Sequence, residues 1–418
     1  MRHGAYVTVI FVALLMLLAL VVSLNAVVDP LDVYRIVRKE GFNSVKSAYI
    51  PYARLAKPSQ IERGQYERLG IGSSRMLMGI PIKNTAWAQY GAGFNAGIQG
   101  ADLLQIRDLF EHALATSKVK NVLIDLDPFM FNAWMPSGDY PYPVAKLDET
   151  TRGRFVRERD TALLLLFSPG VVLASVNTLR KQDKSKDKIM IDGTTNAEKE
   201  QRQAVDDGYE VRFHQFEDRM VRTGWSICTD NRFAFARRGA INKMAVFRDM
   251  LEMAKNNNVV VTFFIPPVHV RLLEAMQAAG LDPYSDELKR KLLAEIVAVY
   301  GADMEGVSLW DFSGYHIYAR EAVPQQVGVA MQWYLDASHF TQALGQKMLD
   351  VMFAAPNAEK GFGVQLKPDN IEQAVQAWHA QQTAYQTQYA PESKILHERA
   401  AAVLEDKKIN GLACGPLE

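Results

Sequence analysis

The chain has 418 residues, enough for one large domain or two ordinary ones, and 48% of them are apolar, which is ample for a buried core. Lysine plus arginine and aspartate plus glutamate each number 47, so the formal net charge is zero and nothing indicates a nucleic-acid or other polyanionic partner. The two cysteines, Cys228 and Cys414, match no metal-ligand spacing, and the sequence leaves open whether they form a disulfide.

The first predicted element is an apolar helix over residues 6–28, which contain no charged side chain. As a helix this segment spans about 35 Å, enough to cross the hydrocarbon core of a membrane. A cleaved signal peptide is the alternative, but its apolar region is normally about 7–15 residues and ends in small residues, whereas Leu24 stands here where a small residue is wanted. We expect an uncleaved single-pass anchor in the inner membrane, with the main domain on the periplasmic side.

After a polar and aromatic connector, expected to pack loosely, strands and helices alternate along the chain. Strands are predicted at 68–72, within 91–100, and at 122–126, 258–267 and 307–314. Amphipathic helices are predicted at 101–119, 240–256, 270–279 and 285–300. This alternation predicts an α/β fold with a doubly wound, mostly parallel sheet, which binds its ligands at the carboxyl ends of the strands.

The alternation of strands and helices stops between the third and fourth strands, where the sequence becomes rich in turn-forming and charged residues. We interpret this stretch as a large insertion with an apolar helix at 161–179 and a flexible loop near 181–207. Two helices broken at Pro391 are predicted near the C-terminus. The predicted division is an anchor (1–28), a connector (29–65), an α/β domain (66–357) with the insertion (about 132–238), and a C-terminal helical extension (358–418).

Three residue types needed for nucleophilic catalysis follow predicted strands or precede a helix. A nucleophilic serine needs a base within hydrogen-bond reach and a group that orients the base. Ser74 lies in the turn GSSR after the first strand, and Asp336 and His339 stand three positions apart. If their segment opens a helix, both side chains lie on one face and point into one cleft. Alternatively, Asp336 or Ser338 only caps a helix that starts near His339.

Four motifs come in a fixed order: Gly-x-Ser after the first strand, NAGIQG after the second, an acidic residue after the third, and Asp-x-x-His before a late helix. This ordered set resembles the SGNH/GDSL hydrolase-like superfamily over residues 69–127 and 257–349. The resemblance implies a flavodoxin-like α/β fold. It also implies that Ser74 is the nucleophile, His339 the base and Asp336 its orienter, with the N–H groups of Ser74 and Gly100 forming the oxyanion hole.

Two departures from the family pattern bear on this assignment. An asparagine of the third motif donates to the oxyanion in the family, whereas Asp127, an acceptor when ionised, stands here. We expect that Asn95 or Asn132 substitutes for it, that Asp127 has another role, or that the enzyme is slow on water. The first motif also reads Gly-Ser-Ser instead of Gly-Asp-Ser. The following Arg75 either binds an anionic group of the substrate or pairs with a carboxylate.

Both departures resemble a membrane-anchored branch of the superfamily, which includes proteins of polysaccharide O-acetylation and the D-alanyl-transfer protein of lipoteichoic acid synthesis. The resemblance implies an acyltransferase, with acetyl as the expected acyl group, that modifies a cell-surface or exported polysaccharide through a serine acyl-enzyme. Its expected partners are a glycan acceptor, a membrane-bound O-acyltransferase and the membrane itself; no nucleic acid, cofactor or metal is expected. A carbohydrate esterase of the same fold and a non-catalytic scaffold, which Asp127 favours, are the alternatives.

Overall fold

A six-stranded sheet forms the centre of the α/β domain in a computed structural model that describes residues 2–137, 151–183 and 189–414. The strands are β1 (Arg68–Ile71), β2 (Gly93–Asn95), β3 (Asn121–Asp125), β4 (Val260–Ile265), β5 (Val307–Asp311) and β6 (Val364–Gln365). The order is β2-β1-β3-β4-β5-β6, parallel from β2 to β5, with β6 antiparallel at the edge. The predicted α/β fold with a mostly parallel sheet is therefore confirmed, whereas the sequence did not predict β6.

The inner strands are buried on both faces because helices cover the sheet above and below. Every residue of β1 and β3 is buried, and only the first residue of β4 is exposed. Such continuous apolar strands are typical of a parallel sheet between two helical layers. The chain goes from β1 to β2 on one side and then to β3 on the other, so the strand order reverses between β1 and β3. A doubly wound sheet has its ligand crevice at the carboxyl ends of this strand pair.

The helices lie before, between and after these strands. Those N-terminal to β4 are α1 (Arg2–Val28), α2 (Ala53–Gly64), α3 (Ser74–Gly79), α4 (Thr85–Ala88), α5 (Leu103–Thr116), α6 (Thr151–Phe167), α7 (Pro169–Arg180), α8 (Ala197–Asp207), α9 (Tyr209–Arg219) and α10 (Lys243–Asn256). Those after β4 are α11 (Val270–Ala278), α12 (Asp282–Tyr300), α13 (Gln342–Met352), α14 (Ile371–Gln388) and α15 (Ala390–Asn410).

Helix α1 contains the predicted apolar segment and is long and apolar enough to cross a membrane. Its side chains are exposed from residue 4 to residue 20, and its last two turns pack against α6, α7 and the connector. The predicted single helix at 161–179 is instead the pair α6 and α7, because Pro169 starts a new helix after Ser168.

The connector packs tightly, contrary to the prediction from its polar composition. Its residues 53–64 form α2, and Lys57 is completely buried between the connector, β2 and the insertion. The Lys57 ammonium donates to the backbone oxygens of Asn95 (2.5 Å) and Gly193 (2.7 Å), and burial lowers the pKa of this lysine to about 7. The prediction of loose packing was wrong because it took polar residues of the connector to be exposed, whereas Lys57 is buried.

The insertion contains α6 to α9, and part of it lies over the carboxyl edge of the sheet. Of its predicted flexible loop near 181–207, residues 184–188 lie outside the described residues, and the prediction was wrong for residues 197–207, which form α8 behind the capping side chain of Asn196. The end of the insertion is joined to the C-terminal extension by a disulfide between Cys228 and Cys414. The predicted break near Pro391 is confirmed: α14 ends at Gln388, and the proline lies in the first turn of α15.

Candidate active site

The two serines after β1 have different roles in the turn. Ser73 donates from its backbone N–H (2.9 Å) and its hydroxyl (2.6 Å) to Asp125, at the end of β3, and its Oγ accepts from the N–H of Arg75 (3.1 Å). Ser73 is therefore the N-cap of α3. Ser74 is the first residue of that helix, so its hydroxyl stays available for another partner.

That partner is His339, which lies 265 positions further along the chain. The distance from Ser74 Oγ to His339 Nε2 is 2.8 Å, and the distance from His339 Nδ1 to Asp336 Oδ2 is 2.7 Å. A carboxylate only accepts hydrogen bonds, so Nδ1 carries the proton and Nε2 accepts from the Ser74 hydroxyl. The structure thus brings the predicted nucleophile, base and orienter into one continuous hydrogen-bonded relay.

Asp336 and His339 lie in a turn before α13 and do not open a helix, a point that the spacing leaves open. The backbone N–H of Leu335 donates to the carbonyl of His339 (2.8 Å), which closes the turn. Asp336 Oδ1 accepts from the backbone N–H groups of Ser338 and His339, each at 2.8 Å. The carboxylate therefore shapes its own loop with one oxygen and orients the imidazole with the other, so capping and orienting are not alternatives here.

Two opposing effects act on the pKa of Asp336. Burial raises it, because a charged carboxylate loses its hydration. The charge of His339 and the hydrogen bonds from His339 and Ser338 together outweigh burial and bring the pKa down to about 2. Asp336 is thus ionised at neutral pH, as a group that stabilises an imidazolium must be.

Arg75 connects the end of β3 to the loop that carries the histidine. Its guanidinium pairs with the carboxylate of Asp127 and donates to the side-chain and backbone oxygens of Ser338. Burial lowers the pKa of Arg75 to about 10, although Asp125 and Asp336 act in the opposite direction. Of the two predicted roles of Arg75, the structure shows the pairing with a carboxylate, and this pairing occupies Asp127.

The predicted oxyanion residues divide into two groups. Within the described part of the chain, the backbone N–H groups of Ser74 and Gly100 donate to no protein acceptor, and both residues line the same cleft. Asn95 instead donates to the carbonyls of Met76 (2.8 Å) and Ile80 (3.1 Å). The expectation that Asn95 substitutes as an oxyanion donor was therefore wrong, because its amide holds the end of α3.

The other predicted substitute, Asn132, was wrong for a similar reason. Its amide donates to the backbone oxygens of Trp225 (2.8 Å) and Arg232 (3.0 Å), so it anchors both ends of the insertion to each other. The side chain is fully buried and absent from the cleft. The candidate oxyanion hole thus consists of two backbone donors without an asparagine side chain.

Two clefts meet at His339. A cleft of about 310 Å³ contains Ser74 and Gly100, and a larger one of about 570 Å³ lies between α8, α9 and the connector. Phe216 and Arg219 of α9 line both, and the Phe216 ring contacts the imidazole edge to face, with centroids 5.3 Å apart. Sequence reasoning missed these α9 residues, since a half-buried aromatic in an insertion has no local signal that relates it to a distant histidine.

Asp125 was also missed, although it lies at the end of a predicted buried strand, where an acidic side chain is unusual. Among the described residues, no group of three or more histidine, cysteine, aspartate and glutamate side chains could hold a metal ion.

Comparison with known proteins gives no relative for this chain: no protein-family model matches it, and no curated protein matches it.

Proposed function

We propose that the chain is a membrane-anchored, SGNH-like serine acyltransferase that transfers an acetyl group to a polysaccharide outside the cytoplasm. The observation that carries the proposal is the relay Ser74–His339–Asp336, with distances of 2.8 and 2.7 Å, at the carboxyl ends of the strands. A serine hydroxyl is a weak nucleophile unless a base accepts its proton, and this relay supplies the base and its orienter.

The reaction is a double displacement. His339 Nε2 takes the proton as Ser74 Oγ attacks the acyl carbonyl, and the tetrahedral oxyanion accepts from the N–H groups of Ser74 and Gly100. The imidazolium, stabilised by Asp336, then protonates the leaving group as the acyl-enzyme forms. In the second half, a sugar hydroxyl gives its proton to His339 and attacks the acyl-enzyme, and Ser74 recovers its proton.

The two clefts support transfer between two substrates. The cleft beside Ser74 has an apolar wall, formed by Phe129, Met130, Met135 and Met220, that suits the acyl donor. The larger cleft is lined mainly by polar side chains of α8 and α9, among them Lys199, Glu200, Gln203 and Gln215. Sugar hydroxyls are hydrogen-bonded by such groups, and the cleft leads to the imidazole that would deprotonate them.

A carbohydrate esterase of the same fold is the second candidate. The side chain of His339 is 14% exposed, so water can reach the base as well as a sugar can. Transfer requires that the acceptor excludes water from the acyl-enzyme, whereas hydrolysis does not.

The test measures release of a chromophore from an acetyl ester by the full chain in detergent. We expect Ser74→Ala and His339→Ala each to lower the rate at least about 10³-fold, because the members of such a relay act as a unit. Ser285→Ala, which removes a hydroxyl on α12 away from both clefts, is the matched control and should leave the rate unchanged.

If Ser74→Ala leaves the rate unchanged, Ser74 is not the nucleophile. If the wild-type chain has no activity, the non-catalytic scaffold is favoured. Adding oligosaccharide acceptors and following their mass distinguishes the two enzymes. Acetylated sugar supports the transferase, whereas release of acetate alone supports the esterase.

A further inference from the structure

The insertion contains a bent pair of apolar helices that the proposed function does not use. Residues Arg159–Phe167 of α6 and Pro169–Arg180 of α7 meet at an angle of 55°, and together they are apolar enough to pass for a membrane segment. We call this pair the elbow. It packs against the last turns of α1, the apolar helix at the N-terminus.

The elbow is apolar on two opposite sides. Leu165 and Val171 are buried in a cluster with side chains of the connector and of α3. On the other side, four large apolar side chains are 38–62% exposed: Leu163, Leu164, Phe167 and Leu173. The exposed charges of the elbow lie at its ends, with the Arg159–Asp160 ion pair at the start and Arg180 at the last position. Between these ends, a helix pair that is apolar on both sides is covered either by protein or by lipid. The first side is covered by this chain, so the second needs another apolar medium.

The length of α1 indicates which medium that is. The hydrocarbon core of a bilayer is about 30 Å thick, which takes about 20 residues of helix. A stretch of 20 residues that begins at Tyr6, the first large apolar residue, ends at Asn25. Residues 21–25 therefore lie within the last 7–8 Å or so of hydrocarbon. These are the turns on which the elbow packs, so the elbow has the same depth.

The polar atoms at the bend are paired as a low-dielectric environment requires. Asn25 is 1% exposed, and its amide donates to the carbonyl of Leu166 (2.8 Å). This carbonyl lies in the last turn of α6, where no backbone N–H of the helix can donate to it. The oxygen of the same side chain accepts from the hydroxyl of Ser175 (2.8 Å). Unpaired amide and carbonyl groups are strongly unfavourable in hydrocarbon, so this pairing lets the elbow lie there.

We propose that the elbow is embedded in the membrane leaflet that faces the α/β domain, where its exposed leucine and phenylalanine side chains contact lipid acyl chains. The domain is then held by two contacts, α1 and the elbow, and cannot rotate freely about its anchor. Leu77, which belongs to the cluster under the elbow, also lines the larger cleft, so the elbow fixes that cleft close to the membrane surface.

The experiment uses a spin label on the full chain in vesicles of phosphatidylcholine and phosphatidylglycerol. The two cysteines of the sequence are bonded to each other, so an introduced cysteine is the only free thiol. Leu173→Cys and Leu163→Cys report on the elbow from its two helices. Ile395→Cys, at a site on α15 that is 64% exposed, is the matched control in water.

Oxygen partitions into the acyl chains, whereas a nickel chelate stays in water, and both speed up the relaxation of a spin label that they collide with. The ratio of the oxygen effect to the nickel effect is therefore high for a label in hydrocarbon and low for a label in water. We expect this ratio to be about fivefold or more higher at the elbow than at the control, because the elbow labels lie in hydrocarbon. Ratios equal to the control at both elbow sites would overturn the proposal and leave the apolar side to a protein partner. The second site covers the case in which one label disturbs its helix.

Discussion

At the scale of single residues, the relay depends on a carboxylate that is buried and still ionised. Asp336 is 6% exposed, which by itself would favour the neutral acid. Its two oxygens accept three hydrogen bonds, two from backbone N–H groups of its own turn and one from the imidazole. The same contacts that shape the turn therefore keep the charge that the histidine needs.

This charge predicts a pH dependence of stability. The pKa of Asp336 in the folded chain, about 2, is below its ordinary value of 3.8, so the group stabilises the fold above about pH 4 and loses that effect as the pH falls through 2. This difference between the two pKa values corresponds to about 2 kcal/mol in the free energy of unfolding. We expect the stability difference between wild type and Asp336→Asn, measured by chemical unfolding, to shrink by about that amount from pH 6 to pH 2. A difference that stays constant would contradict the low pKa.

The sequence could predict which residues form the relay, but not what surrounds them. Ser74, Asp336 and His339 were found because their motifs come in a fixed order. The hydrogen-bond acceptors of the Asn95 amide depend on which buried carbonyls lie nearby, and the packing of α3 on the sheet determines these. The position of Phe216 depends on how a long insertion folds back, which no local pattern encodes.

At the scale of elements, the turn between β1 and α3 brings the serine to the edge of the sheet. A Cβ at Gly72 would overlap the carboxylate of Asp125, which holds the backbone and hydroxyl of Ser73. The glycine is thus required by the close approach of β3 to the turn. Gly100 differs, because its φ of +67° favours glycine while a Cβ there would meet only Arg54 Nη2, at an ordinary contact distance of 3.8 Å.

These two glycines form a matched pair for mutation. We expect Gly72→Ala to lower the free energy of unfolding by about 3–5 kcal/mol, because Asp125 has to move and loses its hydrogen bonds. Gly100→Ala should cost only about 1–2 kcal/mol, the price of a left-handed conformation for alanine. Chemical unfolding of both variants measures the two values. Equal losses would mean that the carboxylate of Asp125 can give way.

The elements themselves were largely predictable, since the five parallel strands and the helices between them have clear hydrophobic patterns. The sequence left open whether the segment of Asp336 opens a helix, because spacing alone does not distinguish a helix from a loop closed by an aspartate side chain. The connector was misjudged for the opposite reason, since polar side chains there are buried with partners from distant segments.

At the scale of the whole molecule, the C-terminal extension is tied to the insertion. The disulfide joins Cys228 to Cys414 across 186 positions, and the buried ammonium of Lys407 donates beside it to the carbonyl of Ser226 (2.7 Å) and the side chain of Asn231 (2.5 Å). The sequence allowed this bond but did not predict it, because two cysteines so far apart meet only through the completed fold.

Reduction of the disulfide should destabilise the protein. Closing a loop of this length restricts the unfolded chain, and the chain-entropy relation gives an upper value of about 5 kcal/mol. We expect a reductant to lower the unfolding temperature of the wild type by several degrees. A Cys228→Ala/Cys414→Ala variant should unfold at that lower temperature with or without reductant, and a wild type insensitive to reductant would contradict the contribution of the bond.

The separation of 265 positions between Ser74 and His339 also has a consequence for biosynthesis. At about 5–20 residues per second, the ribosome adds the imidazole some 13–50 s after the hydroxyl. Until then the hydroxyl of Ser74 has no imidazole to accept its proton. For the proposed enzyme, this delay means that Ser74 becomes an activated nucleophile only after the last third of the chain has folded onto the first, so the nascent polypeptide would not be acylated while it is being made.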